Sequence, residues 1–172
     1  LIFIGMYLSI LLLLSFYIYD PSYELAKQLQ LIYDTPRKDY VIFIDYTKNI
    51  KEERLYVIDM KQKKVVLKST VSHAYNSGKL YATKFSNKIG SKKSCVGAFQ
   101  TMNSYYGKWG YSMKIKGLDK GINDNSYIRA IVFHSNIVQK TTWSEGCFAT
   151  PETINRRLID LIKDGCLLYV LD

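Results

Sequence analysis

The stretch AIVFHSNIVQKTTWSEGCFATPET carries an imidazole, His134, and a thiol, Cys147, thirteen positions apart. Those two residue types can carry out covalent acyl transfer. A base strips the thiol, the sulfur attacks a carbonyl, and nearby donors hold the oxyanion that forms. His134 ends a strand-like run. Cys147 stands a few residues before a predicted helix start, with Thr150 as the expected N-cap and Pro151 as the expected first helical residue. A helix N-terminus that close favours a thiolate. Gly146 lets a substrate approach the backbone, and the amides around Gly146 and Cys147 are candidate oxyanion donors. The bland alternative is a cysteine that is only a small buried hydrophobe and a histidine that is only a hydrogen-bonded strand end.

Two further thiols compete. Cys95 lies at a loop-to-strand junction beside Lys92 and Lys93 and is the rival nucleophile, although no base is near it in sequence. Cys166 falls in a predicted core strand and reads as structural. An odd count of three leaves at least one free thiol in an exported protein, and whether Cys95 pairs with Cys166 stays open. No C-x-x-C pair or His/Cys cluster marks a metal site.

The elements that must position this chemistry are mostly strands. The runs YVIFIDY, RLYVIDM and KVVLKSTVSH are rich in Val, Ile and Tyr, and KQKK between the second and third reads as a hairpin turn. These predict antiparallel strands over one core. Residues 74–94 read as a long loop, the kind that is often functional. VGAFQTMNSYYGKWGYSMKIKGL predicts two strands around a Gly/Tyr-rich turn, and YIRAIVFHS predicts a central strand buried on both faces. Ile154, Leu158, Leu161 and Ile162 make an apolar stripe on a C-terminal helix that Gly165 stops, and CLLYVL closes the chain as a strand. The fold expected is one mostly β domain with a packed C-terminal helix.

The N-terminus differs in kind. Residues 1–19 carry no charge and are long enough to cross a bilayer core of about 30 Å as a hydrophobic helix. A signal anchor is the first expectation and a cleaved signal peptide the second, since no small-residue cleavage site follows. Either exports the remainder to the periplasm or cell surface. Residues 20–38 read as a helical linker, with Ser22 as N-cap and Leu25, Leu29 and Ile32 on one face. Lys and Arg number 24 against 15 Asp and Glu, a net charge of +9 that suits an anionic neighbourhood such as a cell wall or lipid face. No Arg-rich run or RNA-binding signature appears, which sets nucleic acid aside. The aromatic turn over 105–111 can stack on sugars or simply pack at a sheet edge.

The ordered segments KFSNKIGSKKSCVGAF, YYGKWGYSMKIKGLDKGINDN, RAIVFHS and WSEGCFATPE, followed by LIDLIKDGCLLYV, resemble the murein L,D-transpeptidase catalytic domain family, in the branch related to the YkuD-type enzymes. The likeness runs over about residues 39–172. It implies a β-sandwich-like, mostly β catalytic fold and acyl transfer on peptidoglycan stem peptides without a metal or organic cofactor. It implies Cys147 as nucleophile, His134 as base, and the Ser135 carbonyl as the group that orients the imidazole. Ser144 and Gly146 match the family's Ser/Thr-x-Gly-Cys signature, and His73, in TVSHAYNSG, matches a branch motif as a substrate or loop contact or as a structural residue. Glu145 stands where better-known members have His, and Ala149 where they have Asn or Arg. Trp143 and Phe148 stand where the branch often has Arg and Pro. The resemblance implies an L,D-transpeptidase acting as a monomer on peptidoglycan. The alternatives are an L,D-carboxypeptidase using the same Cys/His pair, or a membrane-anchored wall-binding domain without turnover.

Overall fold

The computed structural model describes residues 22–136 and 143–172. The hydrophobic helix and anchor expected over 1–19 lie outside the described residues. Among the described residues no helix is long and apolar enough to cross a membrane.

Helix α1 (Tyr23–Ile32) starts at Ser22, whose hydroxyl accepts from the Leu25 amide at 3.2 Å. It is followed by β1 (Tyr40–Asp45), β2 (Leu55–Asp59), β3 (Lys64–Ser69), β4 (His73–Ala74), β5 (Gly97–Gly107), β6 (Gly110–Gly117), β7 (Val132–Ser135), β8 (Trp143–Ser144), β9 (Phe148–Thr150), helix α2 (Glu152–Ile162) and β10 (Leu167–Leu171). Eight strands form one sheet in the order β3-β2-β1-β10-β5-β6-β7-β9, and β4 with β8 makes a separate two-stranded ribbon. The antiparallel pairing expected of the first strands holds for β1–β2 and β2–β3. The last strand runs parallel to β1, and β7 runs parallel to β9. One continuous sheet therefore replaces the two facing sheets of a sandwich.

Alternation along the strands divides the molecule into two apolar layers. Val41 and Phe43 of β1, with Tyr56 and Ile58 of β2, meet Ala26 and Leu29 of α1. Ile42 and Ile44, pointing to the other face, join Leu158, Ile159 and Ile162 of α2. Leu55 and Leu67 near one end of the sheet share that second core with Phe133 and Phe148 at the other, so the sheet curls around α2. Ala26 takes the buried place expected for Ile32, which is 43% exposed at the end of α1.

The start of α2 differs from the sequence expectation. Thr150 extends β9, where it faces Ser135, and its hydroxyl bonds Asn155 Oδ1 at 3.1 Å. Pro151 takes the N-cap position with extended backbone and no side-chain cap. Strand pairing has overridden the local capping signal, and the helix begins later. Strand β9 separates Cys147 from the helix terminus, whose field falls off within its first turn, so that expected source of thiolate stabilisation is not available.

Candidate active site

His134, the penultimate residue of strand β7, faces Ala149 across the parallel pair with β9. Cys147 lies two residues before Ala149, in the bend that leads into β9. Phe133 and Phe148 point into the core, so His134 and Ala149 share the opposite face of the sheet. On the next strand Lys114 pairs with Val132, and Tyr105 of β5 pairs with Ser112 of β6, extending the same face.

The His134 ring is buried and fixed on two sides. Its Nδ1 lies 2.7 Å from the Ser135 carbonyl. A carbonyl only accepts, so Nδ1 carries the hydrogen and the neutral ring presents a lone pair at Nε2. The Trp109 indole, from the β5–β6 turn, stacks on the imidazole with centroids 5.4 Å apart and planes at 22°. Burial pushes the His134 pKa below the ordinary imidazole value, against the smaller upward pull of the Ser135 carbonyl.

The turn carrying Cys147 is shaped by hydroxyls and a glycine. Ser144 Oγ donates to the Cys147 carbonyl at 2.7 Å and accepts from the Gly146 amide at 3.1 Å. That amide, expected as an oxyanion donor, is therefore occupied, whereas the Cys147 amide has no acceptor among the described residues. Ser72, which sequence reasoning missed, donates to the same carbonyl at 3.1 Å and accepts from the Ala149 amide at 2.9 Å. Gly146 has φ +137°, a backbone that side chains rarely adopt. The Cys147 residue is half-buried, and Sγ faces the Ala130 carbonyl at 3.7 Å. No hydrogen bond joins Sγ to His134 among the described residues. Burial, the largest effect, and the Glu145 carboxylate raise the Cys147 pKa, while the Val132 backbone and Arg129 pull it down. At rest the Cys147 thiol and the His134 imidazole are both neutral.

The other expected residues separate. His73 is fully buried: its Nδ1 accepts from Arg54 Nη2 at 3.0 Å and its Nε2 donates to the Gly78 carbonyl at 3.0 Å. These contacts hold the segment that also carries Ser72. Cys95 is 2% exposed, a burial that disfavours it as rival nucleophile. Cys166 is buried with its pKa pushed up to about 12, chiefly by that burial, and all three cysteines are free. Glu145 pairs with Lys92 at 3.0 Å at the surface. In the aromatic turn Tyr106 packs at a tilt on Tyr111, and Arg156 lies over both rings. Among the described residues no group of three His, Cys, Asp or Glu side chains gathers to hold a metal.

The family described as the L,D-transpeptidase catalytic domain (YkuD_2) matches residues 15–171. No curated protein matches the sequence. Among solved structures, the helical cell shape determining protein Pgp2 from Campylobacter jejuni is 12% identical with a TM-score of 0.53, over 87% of this chain and 56% of its own. An L,D-transpeptidase from Mycobacterium smegmatis is 10% identical with a TM-score of 0.50, over 78% of this chain and 59% of its own. The Ldtfm-avibactam carbamoyl enzyme is 17% identical with a TM-score of 0.50, over 78% of this chain and 49% of its own. The chain spans about half the length of these structures, and at such identities the likeness is one of fold.

Proposed function

This chain belongs to the L,D-transpeptidase catalytic domain family, and from that premise we propose that it is a cysteine acyltransferase acting on peptidoglycan stem peptides, with Cys147 as nucleophile and His134 as base. What supports the reading is that Cys147 stands in the bend directly before β9, the strand paired with the β7 that bears His134, with the His134 lone pair left at Nε2.

In this reading the donor carbonyl enters beside Cys147 and the sulfur turns from the Ala130 carbonyl toward His134, a closure common when substrate completes a site. Nε2 takes the thiol proton as the S–C bond forms, and the Cys147 amide donates to the new oxyanion. Collapse breaks the C–N bond to the terminal D-Ala, whose amine leaves with the proton from His134. The thioester is then attacked by a side-chain amine of a second stem, which gives its proton to His134, and the sulfur is released as thiol. Water in place of the amine gives carboxypeptidase action. Ser72 and Ser144 hold the Cys147 carbonyl throughout. The substrate places the domain outside the cytoplasmic membrane.

Incubation of the protein with a tetrapeptide muropeptide tests the reading by mass spectrometry. Loss of D-Ala or a cross-linked dimer supports it. Unchanged muropeptide with the folded wild-type protein counts against it.

A further inference from the structure

Beside the thiol sits a cation that the mechanism above leaves unused. Arg129 lies three residues before β7, and its guanidinium makes four contacts with the segment before β5. Nη1 donates to the Ser86 carbonyl at 2.6 Å and to Cys95 Sγ at 2.7 Å. Nη2 donates to the Lys93 carbonyl at 2.5 Å and to Ser91 Oγ at 3.3 Å. The same Nη2 lies against the nucleophile's turn, since a Cβ placed on Gly146 would stand 3.5 Å from it.

The next residue, Ala130, has φ +53°, in the left-handed region that costs a non-glycine residue about 1 kcal/mol or more. Such a conformation persists where its surroundings over-determine it. The turn's own backbone supplies that constraint, Ala130 N donating to the Tyr127 carbonyl and Ile131 N to the Ser126 carbonyl, both at 3.0 Å, while the Arg129 guanidinium anchors the turn to the 86–95 segment, and the carbonyl so aimed is the one that Cys147 Sγ faces. A planar fork with several donors suits this role better than an ammonium, which offers one point of charge.

We propose that Arg129 is a positioning residue for Cys147: its guanidinium ties the 86–95 segment to the Gly146–Cys147 turn and sets positive charge beside the sulfur. The proposal rests on the reading of Cys147 as nucleophile. The groups coupled to this sulfur by charge are Glu145 on its own turn, Arg129, Tyr105 from β5 and Tyr46 following β1, and His134 lies on the strand paired with β9. Glu145 is already paired with Lys92. Among these groups of the described residues Arg129 is the cation.

The test is the pH dependence of iodoacetamide alkylation, read at Cys147 by peptide mass spectrometry so that Cys95 and Cys166 do not contribute. Wild type is compared with Arg129→Gln and Arg129→Lys, each checked for folding by circular dichroism. The expected result is a Cys147 profile moved to higher pH in Arg129→Gln, with alkylation at neutral pH slowed by about 10-fold, the effect of one pKa unit. Arg129→Lys, which keeps charge but loses the fork, is expected to recover part of that shift. A Cys147 profile superimposing on wild type in any folded variant overturns the proposal. Because alkylation needs no muropeptide, an enzyme inactive on muropeptide but with an Arg129-dependent profile would defeat the proposed function and leave this role standing.

Discussion

The indole of Trp109 lies nearly flat on the imidazole of His134, 5.4 Å between centroids and 22° between planes. With Nδ1 bonded to the Ser135 carbonyl, this stack leaves the ring little freedom to turn and keeps solvent from one of its faces. The second histidine, His73, is held in the opposite tautomer, Nε2 protonated, by Arg54 and Gly78. Hydrogen-bond partners alone hold the two rings in opposite tautomers.

Removing the stack should change the base more than the fold. Trp109→Ala is expected to raise the His134 pKa toward its ordinary value and to lower kcat/KM by about 10-fold, on the order of 1.4 kcal/mol of transition-state stabilisation. Trp109→Phe should keep most activity. The acid limb of the pH–rate profile reads this out, and an unmoved limb in folded Trp109→Ala would show that the stack is only packing.

For the wild type the sign of the pH dependence follows from the same shifts. His134 must be neutral to accept a proton, and its pKa lies below the ordinary value of about 6.5, so kcat/KM should rise to its plateau on the acid side of that point. The thiol must hold the proton that passes to the leaving amine, and its pKa is raised, so the fall should come above about 8.5. A profile whose acid limb has its midpoint above 7 contradicts the neutral resting pair.

Much of this was legible in the chain. The order of strands along the chain and the apolar stripe of α2 follow from Val/Ile-rich runs and helical periodicity. What was missed came through register. Trp109, Ser72 and Arg129 reach the site from a hairpin tip, a loop and a turn, and no local pattern marks them. Thr150 misled because its capping signal competes with pairing to Ser135, which won. The thirteen-residue spacing of His134 and Cys147 leaves their distance open, and the structure puts His134 on β7 and Cys147 in the bend before the paired strand β9.

Ser72 joins two parts of the site. Its hydroxyl bonds both the Cys147 carbonyl and the Ala149 amide. Ser72→Ala should cost about 1–3 kcal/mol of stability, the penalty for leaving a buried amide and carbonyl short of partners. It should also slow Cys147 acylation. Denaturant unfolding and single-turnover kinetics measure the two effects, and an intact acylation rate would confine Ser72 to a structural part.

Arg54 is fully buried, with Nε and Nη2 on the Val71 carbonyl at 3.0 and 2.7 Å and its guanidinium carbon 4.9 Å from the Tyr46 ring centroid. Burial lowers its pKa. Arg54→Met strands the Val71 carbonyl and His73 Nδ1, and should destabilise the protein by about 2–5 kcal/mol in urea titrations. A loss under about 1 kcal/mol would mean that the 71–78 segment is held by other contacts.

The central claim is that one sulfur becomes acylated. The direct measurement is the mass of the protein quenched in acid during turnover of a tetrapeptide muropeptide, with the adduct located by peptide mapping. The account predicts an acyl group on Cys147, absent in Cys147→Ala and slow to form in His134→Ala. An adduct on Cys95, or D-Ala release that persists in Cys147→Ala, would contradict it.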